Sequence, residues 1–215
     1  MARFAIARLD EIEEQSDGRC PWRPVRHHFG IRSFGVNAWT AENAGDRIIN
    51  EHDEAGDADG SEELYVVAQG RATFELGGER RDAPAGTYVF VEPGVKRTAF
   101  AAEPGTTVLA IGGVPGQAYE PMGWEVWADV RPLYDAGRYA EAADRARELA
   151  DAHPEYPLLA YNLACCESLA GRKAEAIAHL REAAERSERL RAYARQDADF
   201  DAVRDDPAFV EIVGG

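Results

Sequence analysis

The distribution of hydrophobic and polar residues divides the chain into two parts. From about Val25 to Gly113, short apolar runs alternate with turn-forming Gly and Pro pairs. The runs are rich in β-branched and aromatic residues and read RIIN, ELYVVAQ, ATFEL, TYVFVE and TTVLAIGG. Many short strands at this spacing predict a β-sandwich or a closed barrel.

The pattern changes after the stretch GGVPGQAYEPMGW, beyond which Ala, Glu, Arg and Leu dominate and strand signals vanish. We place a domain boundary there. The first domain is predicted to cover residues 1–122, with its β core at about 25–113, and the second to cover residues 123–215. The predicted fold class is therefore multi-domain β + α: a barrel followed by an α-helical array.

The second part contains an internal repeat. AGRYAEAADRARELA recurs as AGRKAEAIAHLREAA 34 residues later (136 to 170), with nine of the 15 paired positions identical. Repetition at this period indicates stacked helix-turn-helix units. Gly137 and Gly171 are predicted to lie at the turns between helices, where a residue without a Cβ adopts left-handed angles.

These residues resemble the tetratricopeptide repeat over about residues 124–188. The second copy carries its pattern as Leu163, Ala164, Gly171, Ala176, Leu180 and Ala183, and the first as Gly137, Ala142, Ala146 and Pro154. The tail resembles the capping helix of bacterial repeat proteins, with Phe200, Val203, Phe209 and Ile212 on its buried side.

Two repeats and a cap make a small array, because about three repeats are usually needed for a stable stack. We expect the array to pack against its own barrel or against a second copy. A short peptide-binding groove on the concave face is the alternative. Trp124 and Trp127 are predicted to pack between the barrel and the helices.

The strand-rich part resembles the cupin family over about residues 45–113. EELYVVAQG, which contains Glu63 and Gly70, and GTYVFVEPGVKR, from Gly86 to Arg97, carry the resemblance. It implies a double-stranded β-helix, or jelly-roll barrel. It also implies two His and a Glu from one motif and a third His from the other, which in metal-bearing members hold Fe, Mn, Ni or Zn.

This sequence lacks two of the four ligands that the resemblance implies. Asn50 stands at the first His, His52 at the second, Glu63 at the Glu and Arg97 at the third His, with Glu54 as a second candidate for the Glu. Arginine is permanently cationic and only donates hydrogen bonds, so it does not ligate a metal. We therefore expect no cofactor, and a divalent metal held by His52 and Glu63 is the alternative.

Three arrangements suit an arginine at this position. Arg97 forms an internal ion pair with Glu63, joined by His52; or it binds an anionic ligand; or it reaches to the rim of the barrel. Tyr65 should share the inward face of Glu63 and is either a pocket hydrogen-bonding group or a core filler. The ligand-binding candidates are thus His52, Glu63, Tyr65 and Arg97, and the sequence identifies no catalytic residue.

Two other groups are weaker candidates. His27 and His28 are predicted to lie on a strand, where neighbours point to opposite faces, so a shared metal is disfavoured. The acidic residues after His52 lack the ordered spacing of a calcium loop, and a solvated hairpin loop is favoured. These acidic residues are Asp53, Glu54, Asp57 and Asp59.

Composition limits the partners and the location. The net charge of −15 repels phosphate backbones, which disfavours nucleic acid. No apolar run is long enough to span a bilayer, and the N-terminal residues lack a secretion signal. Cys20, Cys165 and Cys166 cannot all pair internally, so a reducing, cytoplasmic setting is expected, with the adjacent pair packed on a helix. Because cupin barrels commonly pair through their sheets, we expect a homodimer.

The leading hypothesis is a non-catalytic small-molecule-binding or scaffold protein. Its barrel is metal-free and holds a small anionic ligand or none, and its helical repeats contact a protein partner. The alternative is a divergent cupin enzyme of dioxygenase, isomerase or epimerase type. Such an enzyme would use His52 and Glu63, with Tyr65 as a further candidate, and would act with or without a metal. A third hypothesis is that the helical array recruits a partner protein and the barrel senses a ligand for it.

Overall fold

The computed structural model describes residues 4–16, 18–55 and 60–214. The chain divides into two compact units, residues 1–120 and 121–215. Among the described residues, one buried apolar cluster lies in the first unit and two lie in the second.

The first unit is built from antiparallel strands. They are β1 (Trp22–Arg23), β2 (Gly35–Thr40), β3 (Arg47–His52), β4 (Glu62–Gln69), β5 (Arg71–Leu76), β6 (Glu79–Pro84), β7 (Tyr88–Val91), β8 (Arg97–Ala101) and β9 (Thr107–Gly113). One sheet has the order β1-β2-β9-β4-β7 and the other β3-β8-β5-β6. A single apolar core combines residues of both sheets, among them Tyr65 and Val108 from the first and Ile49, Phe74 and Ala99 from the second.

The structure corrects two local predictions. His27 and His28 lie in a short helix, α1 (Val25–Phe29), and not on a strand, because the run that contains them ends at Gly30 in the left-handed conformation typical of a helix end. The strands on either side of the acidic stretch, β3 and β4, do not pair with each other as a hairpin would require. β3 pairs with β8, and β4 pairs with β7 and β9, so the stretch connects the two sheets.

The pairing of β3 with β8 is irregular. The register shifts between Arg47 and Ile49 and again between Ile49 and His52. Ile48 and Ile49 are both buried, which breaks the alternation of inward and outward residues as a β-bulge does. The result is that His52 lies directly opposite Arg97. Residues at directly opposed positions project from the same face of a sheet, which brings these two side chains together.

The second unit is helical. Its elements are α2 (Gly123–Val126), a 3₁₀ turn (Trp127–Asp129), α3 (Arg131–Asp135), α4 (Tyr139–Ala152), α5 (Pro157–Leu169), α6 (Lys173–Arg186), α7 (Glu188–Ala194), a second 3₁₀ turn (Ala198–Phe200) and α8 (Pro207–Gly214). No helix in the described part of the chain is both long and apolar enough to cross a bilayer.

The repeat found in the sequence places the turns correctly. Gly137 and Gly171 have φ angles of 71° and 78°, in the left-handed region. Ala142 and Ala176 are fully buried on α4 and α6, as expected for small residues where helices pack closely. All four predicted residues of the tail are buried, but they do not form one helix: only Phe209 and Ile212 lie on α8. Phe200 lies on the preceding 3₁₀ turn and Val203 in the turn that follows it.

A buried carboxylate joins three of the helices. Glu167 on α5 is fully buried. One of its oxygens accepts a hydrogen bond from Arg147 on α4, and the other lies 2.6 Å from Nδ1 of His179 on α6. This hydrogen bond raises the pKa of His179, whereas partial burial opposes the rise. The protonated imidazole therefore stabilises the contact between α5 and α6.

The stability of this unit is expected to depend on pH. Because the pKa of His179 is higher folded than unfolded, its contribution is complete below the unfolded value, about 6.5, and declines as pH rises through the folded value. We expect the helical unit to lose stability between pH 6 and pH 8 and His179→Gln to reduce this loss. Urea denaturation, combined with hydrogen exchange of α5 and α6, measures it. His153→Gln, which alters a partly exposed His beside Glu155, is the control. An unchanged pH profile in His179→Gln would contradict the assignment.

Candidate functional site

Four inward-facing side chains meet at one end of the β core. His52 ends β3 and Arg97 begins β8, whereas Glu63 and Tyr65 lie two residues apart on β4. Gly112 on β9 lies opposite Glu63 in the register. A Cβ at Gly112 would lie 3.0 Å from the carbonyl oxygen of Glu62 and 3.2 Å from Cγ of Glu63, so the glycine leaves room for β4 and for the side chain of Glu63.

Arg97 is paired with Glu63 inside the β unit. The arginine is 1% exposed. Its Nε donates a hydrogen bond of 3.0 Å to Oε2 of Glu63, and its Nη2 lies 2.9 Å from the same oxygen. Nη1 donates to the carbonyl of Val95 at 2.9 Å. Of the three arrangements open to the arginine, the structure shows the internal pair, and the depth of burial excludes the rim.

One donor of the guanidinium remains unsatisfied. Nη2 of Arg97 is buried and has no hydrogen-bond partner, although it lies close to Glu63. The short distance therefore reflects charge attraction without a well-directed hydrogen bond. A buried donor without a partner carries an energetic cost, which an additional acceptor near Arg97 would relieve.

His52 faces an acceptor at each ring nitrogen. Nδ1 lies 2.7 Å from the carbonyl oxygen of Asn50. Nε2 lies 3.1 Å from Oε2 of Glu63 and 3.3 Å from Oε1 of Glu54. Since a neutral imidazole has only one N–H, this environment favours the doubly protonated ring. The pKa of His52 is raised accordingly: burial lowers it, but the hydrogen bonds to Glu63 and Asn50 and the charge of Glu63 outweigh burial.

Glu54 adds a second carboxylate to the site. It is a non-glycine residue with a positive φ angle, 52°, and only 10% of its side chain is exposed. Its Oε2 is buried without a hydrogen-bond partner. Burial and the nearby charge of Glu63 raise the pKa of Glu54. A residue held in this conformation with an unsatisfied buried oxygen is typical of a binding site.

Glu63 is the hub of the network. Its Oε2 accepts hydrogen bonds from Arg97 and from the hydroxyl of Tyr65, and it contacts His52. Burial alone raises the pKa of Glu63, but the hydrogen bonds from His52 and Tyr65 and the charges of His52 and Arg97 lower it below its ordinary value. Burial and the charge of Glu63 raise the pKa of Tyr65. Glu63 is thus held as a carboxylate and Tyr65 as a neutral phenol.

These residues do not fit a divalent metal in the manner that the resemblance implies. Ligand atoms of His52, Glu54 and Glu63 lie within 4.8 Å of one another, which by distance alone suits an ion. However, Oε2 of Glu63 is already held by the guanidinium, and the imidazole has acceptors at both nitrogens. A metal would therefore have to displace a proton from His52 and lie beside a fixed positive charge.

The remaining sequence candidates lie apart from this network. The side chain of Asn50 is exposed, and only its carbonyl takes part. Among the described residues, two groups have the spacing of metal ligands, and neither contains His27 or His28. Of the acidic stretch, Asp53 is exposed, whereas Asp57 and Asp59 lie outside the described residues.

The adjacent cysteines are buried on α5, as predicted for packed helical residues. The second group with the spacing of metal ligands consists of Cys165, Asp197 and Asp199. Burial and these carboxylates raise the pKa of Cys165 well above its ordinary value, so the thiol stays protonated. The hydroxyls of Tyr134 and Tyr161 donate to the two carboxylates at 2.7 Å.

Sequence reasoning missed two contributors to the site. The carbonyl of Val95 fixes one end of the guanidinium, but every residue has a carbonyl, so no sequence signal marks this one. Gly112 makes room for Glu63, and the pair of glycines that ends the last apolar run was the available sign of it.

The sequence matches no protein-family model and no curated protein. Solved structures that resemble the chain do so over its N-terminal half, and several are cupin or RmlC-like proteins. A cupin protein from Bacteroides fragilis is 17% identical, with a TM-score of 0.43, over 57% of this chain and 93% of its own. A predicted oxalate decarboxylase from Thermotoga maritima is 17% identical, with a TM-score of 0.42, over 51% and 99%. A sugar phosphate isomerase of the cupin superfamily from Silicibacter pomeroyi is 17% identical, with a TM-score of 0.43, over 55% and 83%.

Proposed function

We propose that the first unit is a metal-free, cupin-like barrel that binds a small polar or anionic molecule without transforming it. The observation that carries this proposal is the pair of unsatisfied buried atoms at the site. Nη2 of Arg97 lacks an acceptor and Oε2 of Glu54 lacks a partner. A ligand that accepts from the guanidinium and bonds to the carboxyl group of Glu54 satisfies both atoms.

The charges at the site favour a ligand of low net charge. Arg97 and a protonated His52 are offset by Glu63 and by Glu54 where the latter is ionised. Because burial raises the pKa of Glu54, its carboxyl group is able to donate a hydrogen bond as well as accept one. A small hydroxy-carboxylate suits these groups, since its carboxylate matches the guanidinium and its hydroxyl matches Glu54. The side chain of His52 is 32% exposed, which leaves an approach from solvent.

In this proposal the helical unit is a tetratricopeptide-like array that mediates protein contacts or oligomerisation. The left-handed glycines at both turns and the buried alanines support the resemblance. A cavity of about 190 Å³ lies on this unit, lined in part by Tyr156, Leu163 and His179. Its volume is small beside the several hundred Å³ of typical ligand sites. This cavity is therefore too small to be a peptide groove.

A thermal-shift screen tests the binding proposal. We expect lactate or glycolate to raise the melting temperature, because a ligand that binds only the native state stabilises it by about 2.7 kcal/mol at one hundred times its dissociation constant. Glu54→Gln should reduce the shift, whereas Glu51→Gln, at an exposed ion pair with Lys96, should leave it unchanged. Equal shifts in both variants, or none with any small carboxylate, phosphate or polyol, would count against a ligand site here.

A divergent acid–base enzyme is the second candidate, and one observation favours it. The hydroxyl of Tyr65, the carboxylate of Glu63 and the imidazole of His52 form one hydrogen-bonded chain that extends to Glu54. The pKa of Glu54 is raised, chiefly by burial, and the pKa of His52 is raised by its hydrogen bonds. A raised pKa brings the carboxyl group closer to the range in which general acids and bases work at neutral pH. In an isomerase or epimerase of this kind, Glu54 and His52 would exchange protons with the ligand. Turnover of the bound hydroxy-carboxylate, followed by NMR in deuterated water, distinguishes this candidate from simple binding.

A further inference from the structure

The cavity of about 190 Å³ on the helical unit combines an apolar interior with an imidazole. The lining residues that are buried or half-buried are Ala150, Tyr156, Ala160, Leu163 and His179. The other lining residues are exposed, and they are Asp151, Pro154, Glu182 and Arg186. The cavity therefore offers a ligand an apolar surface and, beside that surface, the ring of His179.

A buried carboxylate outside the cavity fixes the orientation of this imidazole. Glu167 has no exposed side-chain surface and does not line the cavity. Nδ1 of His179 lies 2.6 Å from one of its oxygens, and since an ionised carboxylate only accepts hydrogen bonds, Nδ1 carries a proton. In the described part of the chain, no hydrogen bond reaches Nε2 of His179. Nε2 is thus the ring nitrogen that remains for a ligand in the cavity.

The charges around His179 favour an anion in the cavity. Arg147 on α4 donates to the other oxygen of Glu167, so two cations share one carboxylate when the imidazole is protonated. This group of three residues then has an excess of one positive charge. The acidic residues of the lining are exposed, where solvent and salt screen their charges, and Glu182 already pairs with Arg186 at 3.5 Å. A ligand with a negative charge beside the ring balances the excess.

We propose that this cavity binds a small monocarboxylate with an apolar body, and benzoate is a suitable probe. The carboxylate accepts a hydrogen bond from Nε2 of protonated His179, and the ring packs against Ala160 and Leu163. The volume suits such a ligand, because an apolar cavity of roughly 150 Å³ admits benzene. The inference goes beyond the proposed binding site at Arg97, since all residues that line the cavity belong to the helical unit.

A titration of the full chain with benzoate tests the site, at a pH of about 6, below the ordinary imidazole pKa. NMR signals of the His179 ring and of the Leu163 methyl groups report on this cavity separately from the barrel. We expect saturable shifts of both signals, with a dissociation constant in the millimolar range. Benzyl alcohol, which keeps the ring but is neutral, and glycolate, which keeps the charge but has no apolar body, should each bind roughly tenfold more weakly or worse. No saturable shift with benzoate, or equally tight binding of either comparison compound, would overturn the proposal.

Two variants locate the ligand, with the Leu163 methyl groups as the common signal. His179→Gln keeps a polar side chain beside Glu167 but removes the positive charge, and should weaken benzoate binding roughly tenfold. Ala150→Phe should abolish binding, since the larger side chain fills the cavity. His28→Gln is the matched control, because it removes an exposed imidazole from the other unit and should leave the affinity unchanged. Benzoate binding that His179→Gln does not weaken, or that persists in a folded Ala150→Phe variant, would rule out this site.

Discussion

Glu63→Ala is expected to lower the free energy of unfolding of the β unit by about 3 kcal/mol, since removing one partner of a buried ion pair leaves the other charge uncompensated. Arg97 has no exposed side-chain surface, so it cannot turn to solvent in the variant. Tyr65 and His52 lose the same acceptor. Hydrogen exchange of β4 and β8 is the suitable measurement, because the two units of the chain need not unfold together.

Two comparisons separate this effect from a general loss of packing. Glu51→Gln breaks an exposed pair with Lys96, where both side chains are at least half exposed, and should leave the stability of the β unit nearly unchanged. The double variant Glu63→Leu/Arg97→Met replaces the pair with apolar groups and should recover most of the stability. A Glu63→Ala variant as stable as Glu51→Gln would show that the pair does not hold the barrel together.

Arg97→His is expected to give the barrel an affinity for zinc or nickel at least tenfold above that of the wild type, a gain of about 1.4 kcal/mol or more. The substitution removes the cation beside Glu63 and adds an imidazole as a third potential ligand. The three ligands, His52, Glu63 and the new imidazole, then lie around one point. Zinc binds such mixed nitrogen and oxygen ligands readily. Isothermal titration of the purified protein measures the change.

Matched variants identify the source of any gain. Lys96→His adds a histidine one position away on an exposed side chain and should not increase the affinity. Arg97→Met removes the charge without adding a ligand and should fall between the wild type and Arg97→His. A folded Arg97→His variant that binds metal no better than Lys96→His would contradict the placement of Arg97 at the position of the third ligand.

The parts of the fold that follow from periodic patterns were predictable, whereas those set by the chain's path were not. The apolar runs indicated β3, β4, β5, β7 and β9, and the repeat located the turns at Gly137 and Gly171. β6 carries the sequence ERRDAP and gives no hydrophobic signal, because an edge strand can expose charged residues along its length.

The candidate site shows the same division. Spacing placed Glu63 and Tyr65 on one face of a strand, and the resemblance placed Arg97 near them. The two register shifts in β3 that bring His52 opposite Arg97 could not be read from the sequence, since an extra residue in a strand need not have a distinctive side chain. Glu54 was open as an alternative to Glu63. The structure uses both carboxylates, because the backbone at Glu54 turns its side chain back toward His52.

The central claim is that the buried guanidinium of Arg97 occupies the position of a metal ligand and neutralises Glu63 where a metal ion would otherwise do so. Elemental analysis of the native protein, purified without chelators from cells grown with iron, manganese, nickel and zinc, tests it most directly. The account predicts that none of these metals is present in stoichiometric amount and that adding them does not raise the melting temperature. A full equivalent of one of them, lost from a His52→Ala variant, would contradict it.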